Sequence, residues 1–138
     1  TSPISRSFQG YRRASGRVGT RNFVGVLTTV NCSASVARKI AERFPDHAYS
    51  DDPHFDGVVA LTHSGGCGTP HEGEGVAMLE RTLGGFARHP NFGGVLLVGL
   101  GCEVNQIERL LARQGLERGT RLRTLGIQDI GGAKNAIE

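Results

Sequence analysis

Four apolar runs separated by segments with a helical repeat constrain the fold of this chain more than any other feature. The runs FVGVLTTV from Phe23, DGVVALT from Asp56 and GGVLLVGL from Gly93 have the near-continuous apolar character of strands buried on both faces. A fourth run, RLRTLGI from Arg121, alternates more and predicts an edge strand. Strands of this kind are typical of a parallel sheet, because its crossover connections cover both faces with helices.

Three segments between these runs place apolar side chains on one helical face, at 36–44, 76–87 and 104–111. We expect the first helix to reach Phe44, the second to be interrupted by Gly84 and Gly85, and the third to end near Gly115. The β-α-β-α-β-α-β order predicts a doubly wound α/β architecture. In this predicted architecture, a mostly parallel four-stranded sheet has helices on both faces, as in a Rossmann-like three-layer sandwich.

Residues 23–138 are predicted to form this α/β domain, since a chain of 138 residues leaves no room for two cores of ordinary size. Residues 1–22 are rich in Ser, Gly and Arg without an apolar repeat, and we interpret them as an N-terminal arm or linker. The sequence begins without Met, and its last residues, GGAKNAIE, have the character of a turn that opens a further helix. We therefore expect a fragment of a longer multidomain protein.

Composition and charge argue against several classes of protein. No apolar run approaches the roughly 18–20 residues that cross a bilayer, and the first residues lack the apolar core of a signal peptide. We therefore expect a cytoplasmic protein with no membrane partner. The net charge of +3 is spread along the chain, and no basic segment interleaves with aromatic residues, which argues against nucleic acid as a partner. A mild excess of cations suits a small anionic ligand.

The three cysteines, Cys32, Cys67 and Cys102, are separated by 35 residues in both intervals, and each follows a predicted strand. Equal spacing predicts equivalent positions at the carboxyl ends of three strands, the edge where open α/β sheets bind ligands. Neighbouring strands lie about 4.8 Å apart, so adjacent strands would bring the thiols within roughly 5–10 Å of one another. That distance suits shared ligation of iron or of an iron–sulfur cluster. The alternative is that each cysteine is a small buried apolar residue.

The loop after the second predicted strand, from Thr62 to Gly75, has the highest density of chemically active residues. Its glycines let backbone N–H groups face a bound carboxylate or phosphate, and the following helix adds its positive end. His63 and His71 are candidates for a proton acceptor near neutral pH or for a ligand of divalent iron. The alternative is a Gly-rich turn with solvated histidines and carboxylates.

The segment after the third predicted strand, GLGCEVNQ from Gly99, places Glu103, Asn105 and Gln106 near the start of a helix. These polar groups either face the ligand edge or cap the helix. The GxGxxG fingerprint is absent after every predicted strand, which argues against a dinucleotide site of the usual kind.

Five strings, in order along the chain, resemble those of a known enzyme family: GYRRASGRVGTRN from Gly10, TVNCSASVARKIA from Thr29, THSGGCG from Thr62, GLGCEVNQ from Gly99 and GIQDIGGAKNAI from Gly126. They resemble the altronate dehydratase and galactarate dehydratase family of sugar-acid hydro-lyases over nearly the whole chain. The resemblance implies the central domain of a longer enzyme.

By this resemblance the parent enzyme removes water from a sugar acid such as altronate or galactarate and gives a 2-keto-3-deoxy acid. It requires Fe²⁺ or a similar ion such as Mn²⁺, with an iron–sulfur cluster as the alternative centre. The reaction needs a base for the proton beside the carboxylate and an acid for the departing hydroxide. The implied catalytic residues are His63, His71 and Glu103. The implied metal ligands are Cys32, Cys67 and Cys102. The implied substrate contacts are Asn31, Ser64, Gly65, Gly66, Asn105, Gln106 and Arg21.

The resemblance leaves three points open. Arg17 and Arg21, in the first string, either clamp a substrate carboxylate or serve domain packing. Similar sequences release sulfite from sulfolactate, and a noncatalytic anion-binding or assembly module is a further alternative. The implied partners are a small anionic sugar acid, the other domains of the parent chain and a second copy in a homo-oligomer. We expect the isolated chain to be inactive.

Overall fold

Four parallel strands form the centre of the structure, a computed structural model that describes residues 7–45, 52–68, 70, 72–103 and 106–138. In chain order the elements are β1 (Tyr11–Arg12), β2 (Val18–Gly19), β3 (Phe23–Thr28), α1 (Ala34–Glu42), β4 (Gly57–Leu61), α2 (Glu74–Ala87), β5 (Phe92–Gly99), α3 (Ile107–Gln114), β6 (Leu122–Gly126) and α4 (Ala133–Ile137). A short 3₁₀ helix, Asn31–Ser33, precedes α1. Within these described ranges no helix is long and apolar enough to cross a membrane.

The strands of the central sheet follow the order β4–β3–β5–β6, and every neighbouring pair is parallel. At the middle of the sheet Val26 pairs with Ala60 on one side and with Leu96 on the other. The chain winds from β3 to β4 in one direction and then to β5 and β6 in the other, so the winding reverses between β3 and β5. This topology confirms the predicted doubly wound α/β fold and the edge position of β6. Ligand crevices in such sheets lie at the carboxyl ends of the strands beside the reversal.

Helices cover both faces of the sheet, because successive residues of a strand point to opposite sides. Val26 of β3 packs with Ile40 of α1 in a cluster that α4 completes. Leu27, the next residue, packs on the other side with Leu83 of α2 and Leu110 of α3. Burial of aliphatic side chains of this kind is worth about 1.5–3 kcal/mol each. The two clusters therefore hold the three predicted layers together.

The first two strands form a hairpin at the amino-terminal edge of the central sheet. β1 pairs antiparallel with β2. The Arg13 guanidinium donates a hydrogen bond of 2.7 Å to the carbonyl oxygen of Pro90, and the backbone N–H of Thr20 donates one of 2.9 Å to the side-chain oxygen of Asn91. A Cβ atom at Gly19 would collide with the Pro90 carbonyl group. The hairpin therefore packs directly against the turn that precedes β5.

The second helix differs from the sequence-based expectation. α2 continues through Gly84 and Gly85 to Ala87 without interruption, so the predicted break is wrong. Leu83 and Ala87 bury against the sheet, and Gly84 lets the Gln114 side chain of α3 approach the helix closely. The packing of this face outweighs the cost of about 1 kcal/mol that each glycine carries relative to alanine in a helix interior.

The other two predicted helices also have altered boundaries. α1 ends at Glu42 rather than at Phe44, which is exposed, because the residue before a proline avoids the helical conformation. α3 ends at Gln114 and is capped by Gly115 in the left-handed conformation, as expected. The start expected for α3 at Val104 lies outside the described residues, and the observed helix begins at Ile107.

Candidate functional site

The carboxyl-terminal edge of the sheet holds all three cysteines. Cys32 lies in the 3₁₀ helix after β3, Cys67 in the loop after β4 and Cys102 in the loop after β5, and all three are exposed. The backbone N–H of Asn31 donates a hydrogen bond of 3.0 Å to the carbonyl oxygen of Gly65, which joins the first two of these segments. The thiols of Cys32 and Cys67 lie within hydrogen-bonding range of each other.

The neighbouring thiols change the acidity of Cys32. The hydrogen bond with Cys67, followed by the charge of that residue, raises the pKa of Cys32 above its ordinary value. Desolvation and the charge of Cys102 raise the pKa further. Thiolates that destabilise one another attract a cation, and sulfur ligands suit iron. The donor atoms at this edge are therefore sulfur atoms of the kind that bind iron, and the iron centre itself stays a prediction.

The described residues, in contrast, do not form a complete metal site by themselves. In the part of the chain that the structure describes, no three His, Cys, Asp or Glu side chains lie close enough together to hold a metal ion. Cys102 affects Cys32 through its charge alone, and its own Sγ accepts a hydrogen bond of 3.7 Å from Nε2 of Gln128. These side chains do not fit Fe²⁺, Mn²⁺ or an iron–sulfur cluster as a closed ligand set.

His63 follows β4, and both of its ring nitrogens are engaged. Nδ1 accepts a hydrogen bond of 3.2 Å from the backbone N–H of Gly65. Nε2 therefore carries the proton and donates to the carbonyl oxygen of Thr28, at 3.0 Å. In this arrangement the imidazole holds the loop after β4 against the end of β3. Neither nitrogen is available to take a proton or to bind a metal unless one of these hydrogen bonds breaks.

A cavity of about 570 Å³ lies beside the loop after β4 and the first turns of α2. Three predicted substrate contacts line it together with two carboxylates: Ser64, Gly65, Gly66, Glu72 and Glu74. The hydroxyl and the backbone groups can bind a carboxylate or hydroxyl oxygen, and the glutamates can accept hydrogen bonds from hydroxyl groups. A polyhydroxy acid needs both kinds of partner.

Glu103 follows Cys102 and is buried, with 8% of its surface exposed. Its Oε1 accepts hydrogen bonds from the Thr29 hydroxyl at 2.8 Å and from the Leu100 N–H at 3.2 Å, and its Oε2 accepts one from the Gly101 N–H at 2.6 Å. The predicted catalytic carboxylate thus holds its own loop and the end of β3. Asn31, in the 3₁₀ helix, is exposed at the same edge.

Residues 10–138 match the family model described as D-galactarate dehydratase/Altronate hydrolase, second domain. The chain belongs to this family. Over 77% of this chain's length it is 39% identical to altronate dehydratase of Bacillus subtilis (strain 168). Over 76% of this chain's length it is 42% identical to galactarate dehydratase (L-threo-forming) of Escherichia coli (strain K12). It is 34% identical to (2R)-sulfolactate sulfo-lyase subunit beta of Chromohalobacter salexigens over 69%.

The chain spans about a fifth of the curated relatives it matches, since these alignments cover 21%, 20% and 21% of the three relatives. No solved structure gives a significant match. The family membership confirms the resemblance carried by the five strings, and the word "second" in the description agrees with a central domain.

Two further predicted residues, Arg21 and Gln106, lie away from the cavity beside the loop after β4. Arg21 lies at the opposite, amino-terminal edge of the sheet, where its guanidinium is 3.7 Å from the carboxylate of Asp56. Gln106 precedes α3 and lines a separate small cavity of about 150 Å³ between the ends of β5 and β6. His71 and Asn105 lie outside the described residues.

Two residues of the edge had no predicted role. Thr29 directly follows β3, and its buried hydroxyl contacts Glu103. Gln128 follows β6 and donates to Cys102, so the fourth strand also contributes to the edge. Both residues belong to strings that resemble the family, TVNCSASVARKIA and GIQDIGGAKNAI. The strings were therefore the available signal, although they do not indicate which residues contact each other.

Proposed function

We propose that this chain is the domain of a hydro-lyase that dehydrates a sugar acid of the altronate or galactarate type to a 2-keto-3-deoxy acid. The observation that carries the proposal is the match of residues 10–138 to the dehydratase family. The carboxyl-terminal edge supports it, because this edge holds a cavity with hydrogen-bonding groups for a polyhydroxy acid and also carries the thiols of Cys32 and Cys67.

We assign the following roles to residues at the carboxyl-terminal edge. Ser64 and the Gly65–Gly66 backbone bind the carboxylate or hydroxyl groups of the substrate, and Glu72 accepts from a hydroxyl group. His63 orients this loop through its two hydrogen bonds. His71, the other histidine of the loop in the sequence, is the residue we propose as the base for the proton beside the carboxylate.

We also propose that Cys32, Cys67 and Cys102 supply thiolates to Fe²⁺, with Mn²⁺ and an iron–sulfur cluster as the alternatives. A bound divalent ion would stabilise the negative charge that develops on the substrate. The exposure of all three thiols and the contact between Cys32 and Cys67 support this proposal. Since the described residues do not form a closed ligand set, the site needs a rearrangement or further ligands from the parent chain.

The test of the function uses the full-length enzyme that contains this domain. It is incubated anaerobically with Fe²⁺ and with altronate, galactarate or sulfolactate, and 2-keto-3-deoxy acid and sulfite are both measured. We expect keto-acid formation from one of the sugar acids and loss of the activity in Ser64→Val. Sulfite release from sulfolactate without keto-deoxy acid formation would overturn the dehydratase assignment in favour of the sulfo-lyase, which the third relative favours.

The metal proposal has a separate test on the chain itself. The chain is reconstituted anaerobically with Fe²⁺, with and without sulfide, and compared with the triple variant Cys32→Ser, Cys67→Ser and Cys102→Ser. Thiol-dependent iron uptake supports the ligand assignment, and a sulfide requirement favours the cluster. Equal uptake by the two proteins contradicts it. If neither takes up iron, the same comparison is made in the full-length enzyme, where an iron content that the triple substitution leaves unchanged contradicts the assignment.

A further inference from the structure

We infer that Thr29 and Glu103 form a positioning pair that fixes Cys102 relative to Cys32 across the reversal of the sheet. Their hydrogen bond, 2.8 Å from the Thr29 hydroxyl to Oε1, joins the end of β3 to the loop after β5. Thr29 is fully buried and Glu103 nearly so. Charge-assisted hydrogen bonds with water excluded are among the stronger polar contacts in proteins.

The loop that carries Cys102 is built around the Glu103 carboxylate. The carboxylate accepts hydrogen bonds from the backbone N–H groups of Leu100 and Gly101, the two residues before Cys102. A Cβ atom at Gly99 would collide with Oε1. Gly101 has a φ of 123°, a conformation that L side chains rarely adopt. The local chain therefore accepts only glycine at two positions in order to close on this one carboxylate.

The segment that carries Cys32 is tied to the same place from the other side. The backbone N–H of Thr29 donates to the carbonyl oxygen of Val98 at 3.1 Å, and the Ser33 hydroxyl donates to the same oxygen at 3.0 Å. Cys32 thus lies between two residues that bind the end of β5. The Thr29–Glu103 hydrogen bond links this segment to the loop of Cys102 through two side chains.

Glu103 is for this reason a positioning residue. Its Oε1 accepts two hydrogen bonds and its Oε2 accepts one, so the carboxylate is held by its own loop and by Thr29. The inference deepens the proposed function, on which its catalytic consequence rests: the pair sets the separation of two thiols that we propose as metal ligands. Its geometric part does not depend on that proposal.

The geometric test uses thiol cross-linking of the chain. In a Cys67→Ser background only Cys32 and Cys102 remain, and bis-maleimides of increasing length identify the shortest reagent that joins them. Thr29→Val keeps the shape of the side chain and removes the hydroxyl, and Thr29→Ser keeps the hydroxyl. We expect Thr29→Val to lower the yield with that shortest reagent roughly tenfold, as the loss of one buried hydrogen bond implies, and Thr29→Ser to restore it.

A second variant tests whether the loss of cross-linking yield comes from unfolding of the chain. Glu103→Gln places an amide N–H₂ group against one of its present donors, and we expect the same loss of yield with urea denaturation still cooperative. Unchanged yields in both folded variants would overturn the inference, as would a loss that Thr29→Ser does not restore.

The catalytic consequence is measured in the full-length enzyme with Fe²⁺ and the accepted sugar acid. Thr29→Val is expected to lower kcat roughly tenfold with little change in KM, and Thr29→Ser to recover kcat. If the enzyme has no dehydratase activity but Thr29→Val still lowers the cross-linking yield, the proposed function is contradicted and the positioning pair is supported. An active enzyme with unaltered kcat in Thr29→Val would contradict the catalytic part of the inference.

Discussion

The imidazole of His63 joins two neighbouring strand ends, since its Nε2 donates to the carbonyl oxygen of Thr28 at 3.0 Å. Its Nδ1 accepts from Gly65, two residues further along its own loop. The side chain is only half-buried, yet it determines how the loop after β4 lies against β3. In this arrangement His63 stabilises the loop, so its removal should lower the free energy of unfolding.

Replacement of His63 by alanine is expected to destabilise the chain by about 1–3 kcal/mol, because a buried carbonyl and an N–H lose their partners. Urea denaturation followed by circular dichroism measures the change. Ser64→Ala, at the exposed neighbouring position, is the matched control and is expected to change stability by less than about 0.5 kcal/mol. Equal effects of the two substitutions would show that the His63 hydrogen bonds do not hold the loop.

The fold was predictable because its signal is repeated along the chain. Each strand is a short apolar run, each connection has a helical period, and these features need no knowledge of long-range contacts. The partner of His63 was not predictable in the same way, since Thr28 is 35 residues away and contributes only a backbone oxygen. Glu103 was expected to face the substrate, and its burial depends on the Thr29 hydroxyl, which only the packed structure brings to it.

At the two glycines of α2, helix propensity predicted a break that the structure does not have. Gly85 is exposed, and a Cβ atom there would meet nothing within 4 Å. Gly85→Ala is therefore expected to raise the free energy of unfolding by about 0.5–1 kcal/mol, because alanine loses less backbone entropy in a helix. Urea denaturation provides the measurement.

Gly84→Ala is the matched control for Gly85→Ala in the same helix. A Cβ atom at Gly84 would lie 2.7 Å from Oε1 of Gln114, so that side chain must move and we expect no gain in stability. Stabilisation by Gly84→Ala that equals or exceeds that by Gly85→Ala would contradict the close approach of α3.

Glu80 connects α2 to α3 through two arginines. Its carboxylate is buried, and its oxygens lie 3.3 Å from the Arg109 Nε and 3.3 Å from the Arg113 Nη1. Glu80→Gln removes the charge that both guanidinium groups face, and we expect a loss of about 1–3 kcal/mol, reduced from the cost for a fully buried pair because the arginines are partly solvated.

Thermal unfolding and urea denaturation measure the effect of Glu80→Gln. Glu74→Gln, at an exposed position of the same helix, changes the net charge equally and should leave stability within about 0.5 kcal/mol of the original. Losses of the same size in both variants would indicate an effect of net charge and not of the contact between α2 and α3.

Glu108 and Arg118 give the chain a pH-dependent contact between α3 and the segment that precedes β6. The guanidinium donates to both carboxylate oxygens, at 3.0 Å to Oε2 and through a second contact to Oε1. The hydrogen bond from Arg118, followed in smaller part by its charge, lowers the pKa of Glu108 below its ordinary value. A carboxyl group with a lowered pKa in the folded state stabilises that state above its unfolded pKa, about 4.3 for glutamate.

Glu108→Gln is therefore expected to lower Tm slightly at pH 7, and the difference from the original chain should disappear as the pH falls through the lowered pKa of Glu108. Because both side chains are largely exposed, added salt should also shrink the difference at pH 7. Thermal unfolding at a series of pH values, with Glu117→Gln as the control for net charge, measures this dependence. A Tm difference that persists unchanged at pH 2 would show that Glu108 acts through its packing and not through its charge.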